Sequence, residues 1–135
     1  MINYNELACA AIIARRAAYA PYSRFYVGAA ILAMDGRIFT GCNVENAAYG
    51  HSICAERTAL VKAVSEGRRR GFVKLAVAGL SEDYCWPCGA CRQMLWEFAP
   101  ELEVLCANRE GEIGRAMLRE LLPHGFGSAH LLGED

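Results

Sequence analysis

Cys88 and Cys91 stand three residues apart directly behind Pro87, and this spacing constrains the fold more than any other feature of the chain. At a helix start, positions three apart lie about 60° from one another around the axis, so the two thiols can share one ion. Proline suits such a start because its missing N–H costs nothing there. The free amides of the first turn also favour thiolate over thiol. A Cys-x-x-Cys pair alone also occurs in redox sites and structural zinc modules, so a third ligand must come from elsewhere. Cys54 supplies it: it opens a second segment of helical composition and is followed by Glu56 in Cys54-Ala55-Glu56. A chain that uses all three sulfurs must bring two helix starts together.

Residues two apart in mid-helix point about 200° apart, so Cys54 and Glu56 could not both face one ion from there. With Cys54 at the first or capping position and the ion beyond the helix end, Glu56 can reach the same point. Three thiolates around zinc, at about 2.3 Å, leave one tetrahedral position for water, the arrangement of a catalytic site. Their excess negative charge calls for withdrawal, which two helix N-termini and Arg57 could provide through hydrogen bonds to sulfur. Arg57 equally reads as a surface residue. Cys85, three before Cys88, offers the rival arrangement of a closed four-sulfur structural module. Trp86-Pro87 interrupts the helical turn that this would need, and it would leave Glu56 without a purpose. His51 reads as an ordinary polar residue. Cys9, Cys42 and Cys106 read as small buried hydrophobes.

Around these motifs the sequence organises itself into alternating elements. Leu7, Ala8, Ala11, Ile12, Arg15 and Ala18 follow a helical period over Tyr4 to Tyr19, closed by Pro21. Apolar runs at Phe25 to Met34 and Arg37 to Val44 flank Asp35-Gly36, a hairpin signal. Ala55 to Glu66 is rich in helix formers and stops at Gly67. Val73 to Leu80 reads as a buried strand, Gly89 to Phe98 as a helix and Leu102 to Ala107 as a further buried strand. Ala116 to Leu122 adds a short helix before Pro123. The order predicts an α/β fold, one mixed sheet with helices on both faces.

With 135 residues, 54% hydrophobic and 21% charged, the chain carries enough apolar material for one domain, spanning residues 1–135. A net charge of -1 gives no general attraction to phosphate backbones, so no nucleic-acid partner is expected. Arg68, Arg69 and Arg70 read as a solvated helix terminus, with a local nucleic-acid contact as the alternative. Asn3, Asn5 and Glu6 interrupt any signal-peptide pattern, and no apolar stretch approaches the roughly 18 residues of a membrane span, so no membrane association is expected. Seven cysteines, an odd number clustered at Cys85 to Cys91, suit a reducing, cytoplasmic compartment.

Cys54-Ala55-Glu56-Arg57-Thr58-Ala59 together with Pro87-Cys88-Gly89-Ala90-Cys91-Arg92-Gln93 strongly resembles the small homotetrameric cytidine deaminases. The resemblance extends to Pro21-Tyr22-Ser23-Arg24-Phe25-Tyr26-Val27-Gly28-Ala29-Ala30, to Gly41-Cys42-Asn43-Val44-Glu45-Asn46-Ala47-Ala48-Tyr49 and to Glu120-Leu121-Leu122-Pro123. It implies a three-layer α-β-α fold around a mixed sheet of about five strands, with one zinc ion per subunit. It also implies hydrolytic deamination of cytidine or deoxycytidine at C4 in pyrimidine salvage, with Glu56 carrying protons from water to N3 and the departing amine. By the same resemblance Phe25 packs against the base, Asn43 and Glu45 bind the ribose hydroxyls, and Ala47, Tyr49 and Phe126 serve a neighbouring subunit's site. Read without it, Phe25 is an ordinary core residue and Asn43 and Glu45 begin a loop. Two positions depart from the family pattern: Trp86 stands where Ser is usual, and Ser128 where Pro is common.

Overall fold

The computed structural model describes residues 4–133; residues 1–3 and 134–135 of the expected unit lie outside the described residues. Strand β1 (Gly28–Ala33) is buried along its whole length because it runs inside the sheet and is covered on both faces. Asp35-Gly36 turns the chain back into β2 (Ile38–Cys42), with Gly36 at φ +91°, a conformation that carries no Cβ penalty only for glycine. Strand β3 (Phe72–Ala78) pairs antiparallel with the other edge of β1. Strand β4 (Glu103–Ala107) joins β3 in parallel, and β5 (Ile113–Met117) adds antiparallel to β4, giving the order β2-β1-β3-β4-β5.

Alternation along the strands divides the apolar side chains between two cores. Ala30, Leu32, Ala76, Ala78, Leu105 and Ala107 face helix α1 (Tyr4–Arg15) through Leu7 and Ala11. Ala29, Ile31, Leu75, Val77, Val104 and Cys106 face the opposite way, into helices α2 (Ala55–Ser65) and α3 (Gly89–Phe98) through Ala59, Leu60 and Leu95. The expected three layers are therefore present, with five strands in the middle. A glycine seats a helix on each face. A Cβ at Gly28 would fall 1.9 Å from the Ala11 carbonyl oxygen of α1, and one at Gly41 would fall 2.4 Å from the Ala59 nitrogen of α2.

The topology then fixes where the helices begin. Strands β2 and β3 both run antiparallel to β1, so they are parallel to each other, and β4 is parallel to β3. Helix α2 leaves the carboxyl end of β2 and α3 leaves that of β3, on the same face, so the two N-termini meet at one end of the sheet.

Several boundaries differ from the sequence reading. Helix α1 ends at Arg15 instead of Tyr19, because Tyr19 is drawn into a parallel bridge with Val44, its N–H bonding the Asn43 carbonyl at 3.0 Å. The first strand starts at Gly28, not Phe25, and the second stops at Cys42. Ala116 and Met117, read as helical, belong to β5, since pairing with Val104 and Glu103 outweighs their helix propensity. Only Leu118–Leu121 is helical there (α4), and Ser128–Leu132 forms α5. Of the three cysteines read as buried, Cys106 is; Cys42 is half-buried and Cys9 is exposed. In the basic run, Arg68 pairs with Asp35 of the hairpin, and its neighbour Arg37 with Glu66 at the end of α2.

Candidate active site and metal centre

Cys54 is the N-cap of α2, with extended backbone at φ -72°, ψ 154°, and Cys88 is the N-cap of α3, at φ -66°, ψ 167°. Each already accepts the first intrahelical bond through its carbonyl, from Thr58 at 3.1 Å and Arg92 at 2.9 Å. Their side chains thus project beyond the helix ends, and Cys91 joins them from the first turn of α3. The Sγ atoms of Cys54 and Cys88 lie 3.8 Å apart, those of Cys88 and Cys91 3.6 Å apart, and all three fall within 4.8 Å of one another. Tetrahedral zinc at about 2.3 Å from each sulfur requires sulfurs separated by about 3.8 Å, so the cluster fits that ion. Cys85 and His51 are outside the cluster, which leaves three protein sulfurs and not four among the described residues.

The electrostatics agree with a cation site. Cys54 is held down to about 6, chiefly by the hydrogen bond from Cys91, with further help from Cys88 and the positive charge of Arg57. Cys91 is pushed up because its proton is held in that bond and because it is buried. Without a cation the cluster therefore carries shared protons that a divalent ion would displace. Burial, with the nearby charges of Glu56, Cys54 and Cys88, pushes the Cys85 thiol up to about 11, so it remains a neutral thiol.

Glu56 lies in the first turn of α2 and is 5% exposed, one of two buried polar or charged residues among those described. Burial above all, and then the charge of Cys54, raises its carboxyl to about 7 against the hydrogen bond from its own backbone amide. A carboxyl in this range can both hold and release a proton near neutrality. Arg57, next along, donates to the Ser52 carbonyl at 2.9 Å, while its Nε is buried without a hydrogen-bond partner. Arg57 is half-buried and not a surface residue, and its charge bears on Cys54.

A cavity of about 260 Å³ opens onto this cluster, walled by Phe25, Val27, Asn43, Cys54, Ala55, Glu56, Cys85, Trp86 and Cys88. Phe25 and Cys85 both lie over Gly79: a Cβ there would be 3.1 Å from the Cys85 Cβ and 3.6 Å from the Phe25 ring. Asn43 reaches the cavity with its amide anchored, its Oδ1 accepting from the Val27 N–H at 2.8 Å and its Nδ2 donating to the Phe25 carbonyl at 2.7 Å. Glu45 sits just outside. It accepts the Tyr22 and Ser23 amides at 3.0 and 3.1 Å and the Ser23 hydroxyl, which holds its carboxyl below the usual range. Glu45 lines a second cavity with Tyr22, Ser23, Tyr49 and Ser52.

Ala47, Tyr49 and Phe126 do not line the cluster's cavity in their own chain. Ala47 is exposed, Tyr49 is 75% exposed against Tyr22, and Phe126 is 54% exposed and stacked on His130. Sequence reasoning missed Val27, Ala55 and Cys85 as cavity walls, and noted Trp86 only as a departure from pattern; its place just before Pro87-Cys88 was the available signal.

Three clustered sulfurs at paired helix ends, a buried carboxyl of near-neutral pKa and an open cavity define a zinc-type hydrolytic centre on an α-β-α scaffold. Residues 1–107 match the model of the cytidine and deoxycytidylate deaminase zinc-binding region. The chain is 51% identical over 117 residues to a cytidine deaminase of Halalkalibacterium halodurans, covering 86% of this chain and 88% of that one. It is 50% identical over 119 residues to one of Sporosarcina psychrophila, covering 87% of each. A crystal structure of cytidine deaminase from Burkholderia pseudomallei superposes with a TM-score of 0.90 at 47% identity, covering 93% of this chain and all of that one. The chain belongs to the cytidine and deoxycytidylate deaminase family.

Proposed function

We propose that the chain, acting as a single catalytic unit over residues 1–135, hydrolyses cytidine or deoxycytidine to uridine or deoxyuridine and ammonia, a reaction of pyrimidine salvage. The observation that carries this reading is Glu56 buried in the same cavity as the Cys54 and Cys88 sulfurs. Cys54, Cys88 and Cys91 hold one zinc ion, which when bound supplies the positive charge that acidifies a water molecule. The Glu56 carboxylate takes a proton from water, gives it to N3 of the base, and later moves a second proton to the departing amine. Burial raises that carboxyl to about 7, so at neutral pH it can both take up a proton and give it back. Phe25 packs against the base, and Asn43 and Glu45 meet the ribose hydroxyls, with the backbone bonds described above holding both side chains in place.

Glu45 also favours a free nucleoside over a nucleotide. Its carboxyl, held ionised by Ser23 and Tyr22, would repel a 5′-phosphate beside the ribose. We further propose a homotetramer in which Ala47, Tyr49 and Phe126 complete the sites of neighbouring subunits, supported by the exposure of these residues away from their own cavity. A cytoplasmic location fits the free thiols of the cluster. No helix among the described residues is long and apolar enough to cross a membrane.

Ammonia release from cytidine, deoxycytidine, adenosine and cytidine monophosphate, measured on zinc-loaded protein, tests the assignment. Turnover confined to the first two is expected. Equal inactivity toward all four at full zinc occupancy would overturn it, and sedimentation as a monomer at full activity would overturn the shared site.

A further inference from the structure

Trp86 places the largest side chain of the cavity two residues before the Cys88 sulfur. Its ring is braced from outside the cavity. Tyr84 meets it edge-on, with centroids 6.1 Å apart and planes at 66°, and Tyr84 in turn packs against Gly114 of β5, where a Cβ would fall 2.8 Å from the ring. The indole also packs on the core beneath α2 and α3. A wall held from two sides cannot yield readily to a larger ligand.

The orientation of a bound base follows from the proposed deamination, on which this inference rests. C4 must lie at the sulfur end, and N3 must face Glu56 to receive a proton. The C5 edge, on the other side of C4, therefore faces away from the carboxylate. With Phe25 against the base and Asn43 at the ribose, the walls left for it are Val27, Ala55, Cys85 and the indole of Trp86, of which the indole is the bulkiest. We propose that Trp86 is a specificity-determining residue that restricts the base to a pyrimidine unsubstituted at C5.

Closing a pocket against one methyl group discriminates by about 10- to 200-fold. The test compares kcat/KM for cytidine and 5-methylcytidine, the latter giving 5-methyluridine and ammonia with the same single water consumed, in wild type, Trp86→Ser and Trp86→Phe. Wild type is expected to prefer cytidine within that range. Trp86→Ser should bring the ratio close to one, and Trp86→Phe, which keeps an aromatic ring against Tyr84, should fall between. Equilibrium dialysis of the same two nucleosides against the Glu56→Gln protein, with and without Trp86→Ser, should show the same change in relative Kd without any turnover. Zinc content and a cooperative unfolding transition establish that each variant is folded; should Trp86→Ser fail these, Trp86→Phe carries the comparison. A wild type that turns over both nucleosides equally, or a ratio unchanged in the folded variants, overturns the role of Trp86 alone. A zinc-loaded wild type inert toward cytidine overturns the deaminase reading, and the Trp86 inference falls with it.

Discussion

Cys54 and Cys88 cap two different helices, α2 and α3, and their sulfurs meet 3.8 Å apart across the end of the sheet. Neither residue could reach the other unless β2 and β3 ran parallel and sent both helices along one face. A metal ion held by both would therefore tie two crossover units together.

Breaking that tie gives the first prediction. Cys88→Ala leaves two sulfurs, too few for tight zinc binding, and zinc measured by elemental analysis should fall from one per chain toward zero after dialysis. Because binding stabilises only the folded state, the urea midpoint should fall together with the zinc content. A full zinc complement in this variant would remove Cys88 from the ligand set.

Glu56→Gln preserves size but cannot relay protons. Zinc content and the unfolding midpoint should stay near those of wild type while kcat falls by about 10²- to 10⁴-fold. Turnover unchanged in steady-state kinetics would take Glu56 out of the mechanism.

Arg57→Ala should weaken zinc retention by about 10- to 100-fold, the usual cost of losing a group that supports a ligand, because it withdraws the charge that bears on Cys54. Competition with a chromogenic chelator measures this directly. Retention equal to wild type would return Arg57 to a purely structural role through its bond to the Ser52 carbonyl.

Gly28→Ala and Gly41→Ala test the seating of the helices. Each methyl would strike helix backbone, at 1.9 Å and 2.4 Å respectively, and backbone cannot rotate aside as a side chain can. A loss of about 2–4 kcal/mol is expected for each from denaturant unfolding. Gly41→Ala should also lower zinc affinity, since it displaces the helix that Cys54 caps, whereas Gly28→Ala pushes on α1 at the opposite face.

The chain's local chemistry was sufficient for the features that depend on neighbouring residues. Pro87 before Cys88, Gly67 after α2 at φ +98° and Asp35-Gly36 between β1 and β2 each act within a few residues, so helix starts, a helix stop and a hairpin could be read directly. The three sulfurs and Glu56 were legible for the same reason: caps and first turns have recognisable residues at short spacing. What needed distant partners was not legible. Ala116 and Met117 have helical composition and become strand only because β4 offers them a ladder, and Tyr19 leaves its helix only because Val44 pairs with it. Asn43 looks like a loop residue until its amide is seen fastened to Phe25 and Val27. The cavity itself, with Trp86 as a wall braced by Tyr84 over Gly114, is a product of packing between segments far apart in sequence. Short-range spacing encodes which atoms can do the chemistry, whereas the space around them exists only once long-range pairing has closed the sheet and stacked its helices.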